Sequence, residues 1–105
     1  MHRGDVRWYR FARPDKRRPV LILTRDSILD LLGEVTVAPV TTTVRDIPSE
    51  VVLTTDDGMP QESAVNLDHV QTVTRGKVGA LLTRLGPERM EEVRSALLFA
   101  LGFRR

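Results

Sequence analysis

Five consecutive residues, Pro19 to Leu23 (PVLIL), are apolar at every position. A strand with one face in water alternates polar and apolar side chains, so a run without alternation demands cover on both faces. The segment is therefore predicted to be an interior strand. Pro19 stands at its first position, where a missing N–H costs no ladder bond. Arg17 and Arg18 come directly before it, so two positive charges stand at the mouth of a buried strand. The rest of the chain has to supply the elements that cover it.

Several stretches offer themselves. Asp5–Phe11 sets Val6, Trp8 and Arg10 against Arg7, Tyr9 and Phe11, the period of a strand, and Ala12–Asp15 then turns the chain. Glu34–Val40 alternates as a third strand, and Pro39 argues for an edge or a bulge near its end. Thr41–Thr43 extend that strand or its bulge, Asp46–Pro48 turn, and Glu50–Leu53 make a fourth strand. Asp57-Gly58 and Pro60 mark a loop. SAVNL and HVQTV, split at Asp68, read as one bent or bulged strand. Two short helical pieces are expected, a turn at DSILDLLGE closed by Gly33 and a small helix near RGKVGALL.

The end of the chain changes period. Pro87 opens a helix with Glu88, Glu91 and Glu92 near its positive end. Met90, Val93, Ala96, Leu97, Ala100 and Leu101 recur along one face, with Leu98 and Phe99 forming a second apolar patch suited to a wide core or a subunit interface. Gly102 supplies a left-handed stop and Phe103 its accompanying hydrophobic contact. The expected architecture is mostly β with α: a small twisted sheet or open barrel capped by the terminal amphipathic helix. At 105 residues, one domain spanning 1–105 is expected.

Charge is unevenly spread. The first eighteen residues hold seven basic side chains against Asp5 and Asp15, while the whole chain carries only +2. An N-terminal basic surface suits a polyanion or an acidic partner, with Arg3, Arg13, Lys16 and Arg17 as the phosphate-binding candidates. The absence of cysteine excludes disulfides and thiolate metal sites. With His2 and His69 the only histidines, and Asp56-Asp57-Gly58 lacking calcium-loop spacing, neither a metal nor a cofactor is expected. No Ser/His/Asp order, Walker lysine or Gly-x-Gly fingerprint is present. His69 reads as structural, because it and Asp68 would point to opposite faces of a strand. Trp8 reads as a core residue. No run approaches a membrane span and the N-terminus has no signal-like apolar segment, so a cytoplasmic protein is expected.

One chemistry needs none of the missing groups. RNA cleaved by its own 2′-hydroxyl requires that the phosphate be held for in-line attack and that charge growing on its oxygens be neutralised. A guanidinium offers two parallel hydrogen bonds to phosphate, and a threonine hydroxyl a third. Arg18 and Thr41 meet this requirement if their strands are neighbours; otherwise Arg18 is an arginine salt-bridged at a strand end.

RGDVRW (Arg3–Trp8), RPVLIL (Arg18–Leu23), VAPVTTTVRDIPSEV (Val37–Val51) and ESAVNLDHVQTV (Glu62–Val73), followed by the amphipathic helix, together resemble the MazF/PemK (Kid) family of toxin endoribonucleases over nearly the whole chain. The resemblance implies an SH3-like barrel of the CcdB/PemK type and a homodimer. It also implies metal-independent cleavage of single-stranded RNA to 2′,3′-cyclic phosphate and 5′-hydroxyl ends, and a cognate acidic, MazE-like antitoxin. Carried over by position, Arg18 stabilises the phosphorane and donates a proton to the leaving oxygen, and Thr41 holds the scissile phosphate. Thr42, Thr43, Arg45 and Asp68 become RNA contacts. Asn66 stands where one relative has arginine, which leaves the base that takes the 2′ proton open. The loop before Arg18 is shorter than in many relatives, implying a more open RNA groove. Two other readings stay open: a CcdB-like gyrase poison, although the chain ends LGFRR without that toxin's tryptophan, and a non-catalytic SH3-like RNA-binding module.

Overall fold

A computed structural model describes residues 1–11 and 17–103; the turn expected at Ala12–Asp15 lies outside them. Seven antiparallel strands form: β1 (Asp5–Arg10), β2 (Arg17–Ile22), β3 (Glu34–Thr41), β4 (Glu50–Leu53), β5 (Ser63–Asn66), β6 (Gln71–Thr74) and β7 (Val78–Arg84), with helices α1 (Asp26–Leu29) and α2 (Pro87–Leu101). The strand order is β4-β5-β3-β2-β1-β7, and β6 pairs with β3. This is the mostly-β sheet with a terminal helix expected above.

The apolar run is the middle of the molecule, as its lack of alternation required. Leu21 faces one core with Val6, Leu53, Val65, Leu67 and Val93, between the sheet and α2. Val20 and Ile22 face a second core with Leu29, Val35, Val37 and Val73 on the opposite side. Burying each such side chain contributes about 1.5–3 kcal/mol. Because β2 is clamped on both faces and along both edges, it is a rigid mount for whatever its N-terminal end carries.

Pro39 is explained differently from the expectation. β3 is an interior strand, paired with β2 at Val37–Pro39. Thr36 turns both its N–H and its C=O toward β2, donating to Thr24 Oγ1 and accepting from Leu23 N. Pro39, three residues on, therefore aims its nitrogen at the other edge. There β3 changes partners, from β6 (ending at Val37) to β5 (starting at Val40). The missing donor falls in the seam, where no ladder bond is lost.

Four smaller expectations also change. RGKVGALL is a 3₁₀ turn (Arg75–Lys77) followed by β7, because pairing with β1 overrides its helical composition. Gly79 permits that pairing: a Cβ there would stand 3.1 Å from the Trp8 carbonyl oxygen. The SAVNL/HVQTV stretch is two strands separated by a 3₁₀ turn, Leu67–His69, and the strands pair with different parts of β3. α1 ends at Leu29 with Asp30 as its cap, short of Gly33. α2 stops at Gly102 (φ +79°), with Phe103 N–H bonded to Leu98 C=O, yet Phe103 and Leu101 lie exposed instead of on the buried stripe. Among the described residues no helix is long and apolar enough to cross a membrane.

Candidate functional site

The β2/β3 register pairs Val20 with Pro39 and Leu21 with Ala38. Continued two residues, it sets Arg18 opposite Thr41 at the end of the sheet where β2 begins. β2 is paired on both edges, with β1 and β3, and β3 with β2, β5 and β6, so ladder bonds and both cores hold their separation.

Two cavities of about 230 Å³ open on either side of this pair, and both count Arg18 and Thr41 in their walls. The first is completed by Trp8, Arg17, Pro19, Thr42, Met59 and Gln61, among others. The Arg17 guanidinium lies 4.5 Å from the centre of the Trp8 ring, a cation–π contact. Trp8 is half-buried and lines this cavity, against its reading as core. Ser63 also lines it, 3 % exposed, and its Oγ has no hydrogen-bond partner among the described residues.

The second cavity is lined by Arg18, Pro39, Thr41, Thr43, Arg45, Asn66 and His69. Its loop is fixed from below: Glu50 Oε1 accepts the backbone N–H of Arg45 (3.0 Å) and of Asp46 (3.1 Å). That grip holds Asp46 at φ +56° and sets where Arg45 leaves the chain. Thr41 Oγ1 accepts the Thr43 N–H at 3.1 Å, which leaves the Thr41 hydroxyl proton free to donate to an anion. Asn66, 6 % exposed, caps the 3₁₀ turn by accepting Asp68 N–H at 2.9 Å, while its Nδ2 lies 3.3 Å from His69 Nδ1.

The expected site residues thus divide. Arg17, Arg18, Thr41, Thr42, Thr43 and Arg45 come together around the two cavities. Asp68 lines neither and bonds Ser49 Oγ instead. Arg3 is at the other end of β2, where its Nε donates to Leu23 C=O (2.8 Å) and its N–H to Asp26 (2.8 Å). Five strand residues, roughly 16 Å, separate that end from Arg18. Arg13 and Lys16 lie outside the described residues. His69, read as structural, is an exposed side chain of the second cavity. The three-residue spacing Asn66-x-x-His69 was its available signal, but it points to contact only once the segment is known to be a tight turn and not a strand. No group of three or more side chains able to hold a metal occurs among the described residues.

The chain matches the family model of PemK-like, MazF-like toxins of type II toxin-antitoxin systems over residues 2–101. It is 43% identical over 100 residues to the probable endoribonuclease MazF5 of Mycobacterium tuberculosis, covering 94% of this chain and 91% of that one. To the probable endoribonuclease MazF2 of the same species it is 38% identical over 103 residues, covering 97% and 99%. Among solved structures it resembles the M. tuberculosis toxin MazF-mt6 (TM-score 0.88, 34% identity, 96% and 99% covered). It also resembles a mycobacterial endoribonuclease in complex with its cognate antitoxin (TM-score 0.87, 27% identity, 100% and 98% covered).

Proposed function

The chain belongs to the family of PemK-like, MazF-like toxins of type II toxin-antitoxin systems, and on that premise we propose that it is a sequence-specific endoribonuclease acting on single-stranded RNA, with Arg18 and Thr41 at its catalytic centre. The observation that carries the residue assignment is the shared wall. Arg18 and Thr41 face each other across neighbouring strands and border a cavity on each side. A scissile phosphate held there would have both cavities beside it.

The reaction is an internal transesterification. The RNA 2′ oxygen attacks phosphorus, the P–O5′ bond breaks, one proton leaves the 2′-hydroxyl and one reaches the 5′ oxygen. The products are a 2′,3′-cyclic phosphate and a 5′-hydroxyl end, with no cofactor in the balance. Arg18 neutralises the charge that grows on the phosphorane oxygens, where a preorganised donor has its largest effect. Thr41, its hydroxyl oriented by the Thr43 N–H, donates to the same phosphate and holds it in line. Arg17, Thr42, Thr43 and Arg45 line the path of the flanking nucleotides. Trp8 under Arg17 offers a stacking surface at one end of that path.

The same reading places the protein in the cytoplasm as one domain over 1–105, acting as a homodimer restrained by an acidic antitoxin that competes with RNA for the basic groove. The test is incubation of a long unstructured RNA with the chain in EDTA, mapping every new 5′ end. Wild-type protein is expected to cut at one short sequence and leave 5′-hydroxyl ends. Arg18→Ala and Thr41→Ala are expected to lower the rate by about 10²–10³-fold while remaining folded. Intact RNA, or variants that cut as well as wild type, would overturn the assignment.

A further inference from the structure

We propose that His69 carries its proton on Nε2 and presents it, as a neutral hydrogen-bond donor, to a phosphate oxygen of the bound RNA, and that it is not the base that takes the 2′ proton. The inference rests on the ribonuclease reading and adds to it a substrate contact in the second cavity, the one that Trp8 does not line.

Asn66 sets the tautomer. Its Oδ1 accepts the Asp68 N–H, and turning the amide over would set an NH₂ group against that N–H, donor against donor. The side chain is 6 % exposed and held in a turn, so water does not relieve the conflict. With Oδ1 committed, Nδ2 is the atom that faces His69, and it donates to Nδ1 across 3.3 Å. A neutral imidazole has one acceptor nitrogen and one donor nitrogen. Nδ1 is the acceptor, so the proton is on Nε2.

Nε2 has no hydrogen-bond partner among the described residues, and the ring lines the cavity that also holds Arg18, Thr41, Thr43 and Arg45. Arg18 and Arg45 share the cavity, and Asp68 is bonded to Ser49. Glu50, opposite Asn66 on the neighbouring strand, gives Oε1 to two backbone N–H groups, while its Oε2 is buried without a hydrogen-bond partner among the described residues and does not line the cavity. Two guanidiniums supply the charge that attracts a phosphate. An imidazole N–H from the 3₁₀ turn adds a third donor, approaching the phosphate from a different element than the two guanidiniums. In this tautomer the lone pair of the ring is on Nδ1, engaged by Asn66, and the free nitrogen carries a proton, so the ring offers a donor and not a base.

The chain has only two histidines, so their side-chain nitrogens can be read directly in a long-range ¹H–¹⁵N spectrum of protein labelled at histidine, with His69→Gln identifying which signals belong to His69. At pH 8 a pyridine-type Nδ1 and a pyrrole-type Nε2 are expected; the reverse pattern, or an even mixture, overturns the proposal. Steady-state cleavage forms the second arm. His69→Ala is expected to lower kcat/KM about ten- to a hundredfold, the size of one hydrogen bond to a charged group. Gln, whose amide N–H falls near the position of Nε2–H, is expected to recover most of that loss, and the pH–rate profile to keep its shape in both variants. If Gln is as impaired as Ala, or a limb of the profile disappears, His69 exchanges a proton and the donor role fails alone. If wild-type protein leaves RNA intact, the ribonuclease reading fails and the donor role falls with it, whatever the nitrogen shifts report.

Discussion

Arg18 is useful because of what lies behind it. Its side chain is exposed, but its backbone belongs to a strand in which Val20, Leu21 and Ile22 are fully buried, so the point from which the guanidinium reaches out is fixed. Thr41 is held by a single local bond from Thr43, so Thr41→Ser is expected to retain most of the cleavage rate that Thr41→Val loses. Measuring the three proteins on one RNA checks this. Ser63 makes the converse point: its buried, unpartnered hydroxyl is a cost of folding. Ser63→Ala is therefore expected to be neutral or to stabilise the chain by about 1 kcal/mol in urea unfolding; a loss of more than about that amount would mean the hydroxyl has a partner in solution. At this scale the sequence was partly legible. Arg18 and Thr41 stood out by residue type and by resemblance, but Asn66 and His69 did not, because a three-residue spacing brings side chains together in a turn and separates them in a strand.

Among the elements, α2 packs on the sheet through apolar contacts and is tied by polar ones to the 3₁₀ turn Thr55–Asp57 that follows β4. Arg89 bonds both carboxylate oxygens of Asp57 at 3.0 Å and continues to Glu92. The Arg89 hydrogen bonds hold the Asp57 carboxyl below the ordinary aspartate value of 3.8, against the opposing effect of burial. At Asp5 burial pushes upward, yet Arg84, the His2 backbone N–H and Arg7 together outweigh it, and this carboxyl also lies below 3.8. Both shifts are downward, so the stability they contribute is complete above the unfolded value and is lost as pH falls through it toward the lower folded values. Urea midpoints measured between pH 7 and pH 3 are expected to be flat down to about pH 5 and to fall below it. Arg89→Ala is expected to cost about 1–2 kcal/mol at pH 7 and less at pH 3, where its partner is protonated in the unfolded chain; an equal loss at both pH values would show that the arginine acts by packing alone. The β7 segment was misread because its composition favours helix, while what decides it is the open edge of β1, contributed by residues some seventy positions away.

For the whole molecule, the helix end that leaves the core is the notable surface. Phe99, Leu101 and Phe103 are 60, 60 and 66 % exposed, and Leu101 borders an open cavity with Leu23, Leu32 and Val70. Phe99 lies on the other side of the helix, bordering a cavity with Pro48, Val51 and Ala96, so exposed apolar side chains flank the helix end on both sides, and the Leu101 side fits a subunit contact. Light scattering at micromolar concentration is expected to give twice the 11.9 kDa chain mass, and Leu101→Glu to return it toward the monomer; a wild-type mass of one chain would remove the dimer. The amino-acid sequence by itself determined the interior strand, the terminal helix with its Pro87 start and Gly102 stop, and the chemical types available for phosphate binding. These depend on local period, backbone freedom and side-chain chemistry, which neighbours in the chain specify. Tertiary structure alone decided that Arg18 stands opposite Thr41, that Pro39 falls in a seam, that Arg3 is removed from the site and that His69 joins it. Each of these depends on strand register and on which edges meet, and such pairings bring together residues far apart in the chain.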